Sequence, residues 1–106
     1  MKKILLLTTA FLLCSFVGVE AAEVAVNQAN QQFSEETLKL KAGDTISFKN
    51  SDTVTHNIQI VNADGDTDDK GLQKPGETIK ATMAKAGDYK VRCGIHPAMK
   101  IKVTVE

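Results

Sequence analysis

Within seven residues, Cys93-Gly94-Ile95-His96-Pro97-Ala98-Met99 sets a thiol, an imidazole and a thioether at three-residue intervals. A second histidine, His56, stands well upstream beside Ile58 and Ile60. A loop joining two strand ends can fold back so that Cys93, His96 and Met99 converge, and a sandwich can bring the His56 end beside that loop. The set is then two imidazoles, one thiolate and one weak thioether. Two His and one Cys in a trigonal plane with a long axial Met form an electron-transfer copper site. Zinc prefers four firm ligands, and Met is a poor fourth. Hard cations want oxygen, which the cluster lacks. The donor chemistry selects copper, one ion per chain, cycling between Cu(I) and Cu(II).

Taken singly, each residue has an ordinary reading. A lone buried Cys is a small hydrophobe and a lone Met fills a core gap. A His beside a strand makes a hydrogen bond. The weight comes from coincidence, because both histidines of the chain fall in the one proposed site. Met83, in contrast, sits in an alternating run and reads as core.

The elements that must position these residues alternate with period two, the mark of half-buried strands. Leu38 and Leu40, Ile46 and Phe48, Ile58 and Ile60, Ile79 with Ala81 and Met83, Tyr89 with Val91 and Cys93, and Ile101 with Val103 and Val105 all alternate with polar residues. Residues 23–27 form a further expected strand. Ala42-Gly43-Asp44, Lys74-Pro75-Gly76-Glu77 and Ala86-Gly87-Asp88 supply the Gly and Pro that tight reversals need. No stretch carries a capped helical stripe. The expectation is an all-β chain, a small antiparallel sandwich or barrel with two sheets packed face to face.

Residues 1–21 are set apart from that fold. Lys2-Lys3 precede an almost wholly apolar run from Ile4 to Val19, and Val19-Glu20-Ala21 has the small-residue spacing of a cleavage site. This is the pattern of a cleavable signal peptide, and the run is short for a membrane span. Leu13 before Cys14 argues against a lipidated cysteine. Cleavage leaves residues 22–106 as one domain without a membrane span. The single remaining thiol, Cys93, can form no internal disulfide, and in an oxidising compartment it must be buried or bound. The whole chain is 106 residues with 13 Lys+Arg and 13 Asp+Glu, too short for two ordinary domains and without the basic excess of a nucleic-acid binder.

Ala42-Gly43-Asp44-Thr45-Ile46-Ser47-Phe48-Lys49-Asn50, His56-Asn57-Ile58, Lys74-Pro75-Gly76-Glu77-Thr78, Gly87-Asp88-Tyr89-Lys90-Val91-Arg92-Cys93 and the ligand loop together resemble the cupredoxins, or blue copper proteins. Among them the chain is most similar to the amicyanin and plastocyanin-like members. The two-residue gaps on either side of His96 match the short amicyanin loop. The resemblance implies a Greek-key sandwich. It implies His56, Cys93 and His96 as equatorial ligands and Met99 as the axial one. Asn57, Gly94 and Pro97 would surround them, with the Asn57 backbone N–H donating to the thiolate. Two positions depart from the pattern. Gly94 stands where Ser or Thr is usual, which removes a side-chain tie to Asn57. Lys100-Ile101 follow Met99 without a nearby Gly, so the loop can leave the site at a different angle.

The expected function is that of a monomeric, exported, periplasmic one-electron carrier and not an enzyme, since four protein ligands leave no position for substrate. The resemblance implies a dehydrogenase as donor and a c-type cytochrome as acceptor. Two alternatives stay open: a copper-binding module for delivery or resistance, and a metal-free structural sandwich. The Asp64–Asp69 run reads as a solvated acidic loop without the Gly and Glu of a calcium loop, able at most to steer a basic partner. Lys70, Lys74 and Lys100 read as solubilising charges.

Overall fold

The computed structural model describes residues 20–106, so the expected signal segment 1–21 lies outside the described residues as far as residue 19. Nine strands follow in order: β1 (Glu23–Ala29), β2 (Gln32–Phe33), β3 (Thr37–Leu40), β4 (Asp44–Asn50), β5 (His56–Val61), β6 (Thr67–Gln73), β7 (Thr78–Met83), β8 (Gly87–Arg92) and β9 (Lys100–Val105). Among the described residues no helix is long and apolar enough to cross a membrane.

Alternation decides which side chains enter the core. In β4, Ile46 and Phe48 are wholly buried while Thr45, Ser47 and Lys49 face outward. In β9, Ile101, Val103 and Val105 turn inward between Lys100, Lys102 and Thr104. These residues meet Val26, Ile58, Ile60 and Val91 in one cluster. Phe48 has no exposed surface, and its truncation to Ala costs about 3–5 kcal/mol.

The strands form a four-stranded sheet in the order β2-β1-β4-β7 and a five-stranded sheet in the order β3-β9-β8-β5-β6. The chain passes repeatedly between them in the manner of a Greek-key sandwich. The expected all-β sandwich is present and most strand pairs are antiparallel, while both sheets are mixed: β1 runs parallel to β4, and β3 parallel to β9. Period-two alternation records which face is buried and carries no information on a neighbour's direction. β6 is a second difference. Thr67, Asp68 and Asp69 belong to this edge strand and not to a loop. Its charged sequence suits an edge, where outward charges discourage pairing with another chain.

The register fixes the two ends of the sandwich. His56 pairs with Gln73, and Arg92 with Lys100, so the 51–55, 74–77 and 93–99 connections share one end. At that end, Asn50 Nδ2 donates to Val54 O and to Gln73 O, both at 2.9 Å, and Asn50 Oδ1 accepts from Asp52 N–H. Lys74-Pro75-Gly76-Glu77 closes with a Glu77 N–H to Lys74 O bond of 3.0 Å. Gly76 sits there at φ 89°, the third position of a turn that needs a positive φ after Pro.

Candidate metal centre

β5 delivers His56 at its first residue, and β8 delivers Cys93 immediately after its last. The 93–99 loop then folds on itself. His96 N–H donates to Cys93 O at 3.2 Å, Met99 N–H to His96 O at 2.9 Å, and Cys93 N–H to Met99 O at 3.2 Å. The last bond carries the β8–β9 ladder across the loop mouth, so β9 starts at Lys100 without an intervening glycine.

This folding brings His56, Cys93 and His96 together, with one donor atom from each lying within 4.8 Å of the others. Cys93 Sγ is 3.7 Å from His56 Nδ1 and 3.6 Å from His96 Nδ1. The two Nδ1 atoms are 3.0 Å apart. His56 and Cys93 are wholly buried and His96 is partly exposed. Met99, closing the loop, is 3% exposed. Pro97 and Gly94 lie on the exposed part of the loop.

Asp52 is a residue the sequence reading missed. Its Oδ2 lies 2.9 Å from His56 Nε2. It also accepts from Gln31 N–H at 2.7 Å and, through Oδ1, from Thr53 N–H at 2.9 Å. The His56 hydrogen bond first, and these two backbone donors next, lower its pKa to about 2. An ionised carboxylate only accepts, so His56 Nε2 is the donor to Asp52, and Nδ1 is the ring nitrogen that faces Cys93 and His96. Three donor atoms converging on one point suit a cation, and a cysteine sulfur with two imidazole nitrogens is the donor set of copper. The donors fit the metal the sequence chemistry selects.

Asn57 surrounds this cluster from two sides. Its N–H donates to Cys93 Sγ at 3.4 Å. Its Oδ1 accepts from the Gly94 backbone N–H. The tie between the two loops exists at Gly94 after all, made by main chain where a Ser or Thr side chain is absent. A Cβ at Gly94 would stand 3.0 Å from Gln59 Nε2 and Oε1. Gln59 is held in place by Arg92 Nε, which donates to its Oε1 at 2.9 Å, and by Asp69 Oδ2 at 3.1 Å. Asp52 lies outside the alternating runs, and Gln59 reads there only as an outward polar residue of β5. Only the proximity of Asp52 to His56 in sequence could have raised it.

The exposed large apolar side chains of the described residues, Val54, Leu72 and Ile95, all belong to the metal end. Asp64 and Asp66 lie at the other end of β5, about 17 Å away by strand rise. The acidic turn therefore does not flank the cluster.

Residues 20–106 match the copper binding proteins of the plastocyanin/azurin family. The chain belongs to that family. It is 33% identical over 106 residues to methylamine utilization protein MauL of Methylorubrum extorquens, covering 99% of this chain and 93% of that one. It is 32% identical over 95 residues to amicyanin of Paracoccus denitrificans, covering 86% and 72%. A solved mutant of amicyanin in its Cu(I) form superposes with a TM-score of 0.72 at 27% identity, covering 79% of this chain and 82% of that one. This cupredoxin is a copper protein, and the His56–Cys93–His96 cluster is its metal site.

Proposed function

We propose that this cupredoxin is an exported, periplasmic, monomeric one-electron carrier and not an enzyme. The convergence of His56 Nδ1, Cys93 Sγ and His96 Nδ1 in one cluster, buried except at His96, carries the reading. Copper bound there would supply a single electron by passing between Cu(I) and Cu(II). His56, Cys93 and His96 would hold it, and Met99, buried at the loop's closing turn, would be the weak fourth ligand.

The surrounding residues keep one geometry for both charge states. Asp52 fixes the His56 ring, and the Asn57 N–H withdraws charge from the thiolate sulfur, a lever on redox potential. The Asn57–Gly94 bond and the 93–99 hydrogen bonds lock the loop. Such a site exchanges electrons with little rearrangement.

His96 is the electron exit. Its ring is the partly exposed member of the cluster, and Ile95, Pro97 and Ala98 lie around it on the loop. Exposed Val54 and Leu72 extend this apolar end. Redox encounters of this kind bury under about 1,200 Å² and release quickly. A dehydrogenase donor and a c-type cytochrome acceptor fit the amicyanin likeness.

The test is repeated reduction by ascorbate and reoxidation, with copper content measured after each cycle against a competing Cu(I) chelator. A carrier keeps one copper per chain and recovers its spectrum. Loss of the metal to the chelator on reduction would instead indicate a delivery module.

A further inference from the structure

We propose that the outer face of the five-stranded sheet, beside the ligand loop, docks the carboxylates of an acidic redox partner through Lys90, Arg92, Lys100 and Lys102. The proposal rests on the electron-carrier reading and names the partner's chemistry.

The register makes the case. Lys90 stands directly opposite Lys102, and Arg92 directly opposite Lys100, on the exposed face of β8 and β9. Like charges in direct cross-strand pairs destabilise a sheet. Two such pairs in succession form a concentrated positive field that the fold does not require. Among the described residues none of the four makes an ion pair. Asp69 accepts from Gln59 and Asp88 from Thr104, and Glu36 and Asp88 share a neighbouring hollow with Lys90, Lys100 and Lys102 without forming an ion pair with them. Arg92 Nε donates to the neutral Gln59, which leaves its charge uncompensated.

These cations frame a hollow of about 420 Å³ that Lys90, Arg92 and Lys100 share with Gly94, Pro97 and Cys93. Pro97 belongs both to this hollow and to the apolar loop around His96. A partner seated on His96 therefore reaches the hollow with its rim. Arg92 and Lys100 sit at the metal end of this face, whereas the acidic turn at Asp64 and Asp66 follows Val61, which stands opposite Lys90, so an acidic surface is drawn to the Arg92–Lys100 end of the patch. A flat anionic membrane offers no side chain to enter the hollow, which favours a protein.

Two probes test this on the copper-loaded chain: a hexaglutamate peptide, followed by NMR shifts in the Cu(I) state, and hexacyanoferrate(III), which takes one electron from Cu(I) to give Cu(II) and hexacyanoferrate(II). At low ionic strength, changing Lys90, Arg92, Lys100 and Lys102 together to Gln should slow that oxidation about tenfold or more and erase a peptide footprint centred on β8 and β9. It should leave the copper spectrum unchanged and not lower Tm, since repulsion is removed. A control with Lys41, Lys49, Lys80 and Lys85 changed to Gln alters net charge equally and should keep both rate and footprint. Equal slowing in both variants, no slowing in either, or a footprint produced only by phosphatidylglycerol vesicles would overturn the proposal. So would salt-sensitive self-association that Asp64→Asn and Asp66→Asn abolish, which would assign the face to a second copy. If the copper does not cycle at all, the carrier reading fails, while the peptide footprint still decides the docking face.

Discussion

Adding a single methyl group at Gly94 probes how tightly the ligand loop is seated on the sheet. Gly94 has no left-handed φ, so alanine fits its backbone. The obstacle is Gln59, whose amide atoms would lie 3.0–3.1 Å from the new Cβ. Gln59 can yield only by giving up its bonds to Arg92 and Asp69. Both are partly exposed, so each contributes about 0.5–1 kcal/mol. Against this loss of about 1–2 kcal/mol stands the gain of about 0.4–1 kcal/mol from a stiffer unfolded chain. Gly94→Ala alone is therefore expected to destabilise by no more than about 1.5 kcal/mol. In a Gln59→Ala background the bonds are already gone, and the same change should stabilise by about 0.4–1 kcal/mol. The difference, a coupling of about 1–2 kcal/mol, is read by denaturant melts of the four proteins of the cycle. In thermal melts it corresponds to about 4–8 °C per kcal/mol for a domain of this size. A coupling indistinguishable from zero would refute the close approach of Gln59 as the reason for glycine here.

Asp52→Ala should weaken copper binding about 10–100-fold, measured by competition with a chelator, because His56 loses the acceptor that sets its tautomer and orientation. Met99→Gln should retain copper and lower the reduction potential in voltammetry; an unchanged potential would remove Met99 from the axial position. Asp44 accepts from the backbone N–H groups of Ala22 and Lys41, and these bonds hold its pKa below the usual carboxylate value. A depressed carboxylate stabilises the fold above its unfolded pKa of about 3.9 and loses that contribution as pH falls through the lower folded value. Asp44→Asn should accordingly lower Tm at neutral pH and flatten the decline of Tm below about pH 4; a variant whose acid decline matches the parent would contradict this.

The legible parts of this protein are those where one residue reports its own burial. Ile46 and Phe48, or Ile101, Val103 and Val105, alternate because one face of each strand meets the core, and no partner need be known. The direction of the partner is a different property, which is why the parallel β1–β4 and β3–β9 pairs were not foreseen. β6 escaped because an edge strand buries little. In Thr67–Gln73 only Gln73 is buried, so no apolar alternation exists to read.

The site divides in the same way. Cys93, His96 and Met99 lie in one short loop, and His56 is the only other histidine, so their chemistry is visible in the chain itself. Asp52 acts through a loop whose shape depends on Asn50 bonding across to Val54 and Gln73. Gly94 was readable as a missing side-chain tie. That its main-chain N–H makes the tie to Asn57 depends on how closely the loop packs on β5.

The most direct test of the central claim is the visible absorption and EPR spectrum of the chain with one equivalent of Cu(II), recorded beside Cys93→Ser. A buried thiolate between His56 and His96 predicts an intense visible band and narrow copper hyperfine splitting at one copper per chain. Ascorbate should bleach the band, reoxidation should restore it, and Cys93→Ser should lack it. A pale complex with wide splitting, or a serine variant as intensely coloured as its parent, would contradict the account.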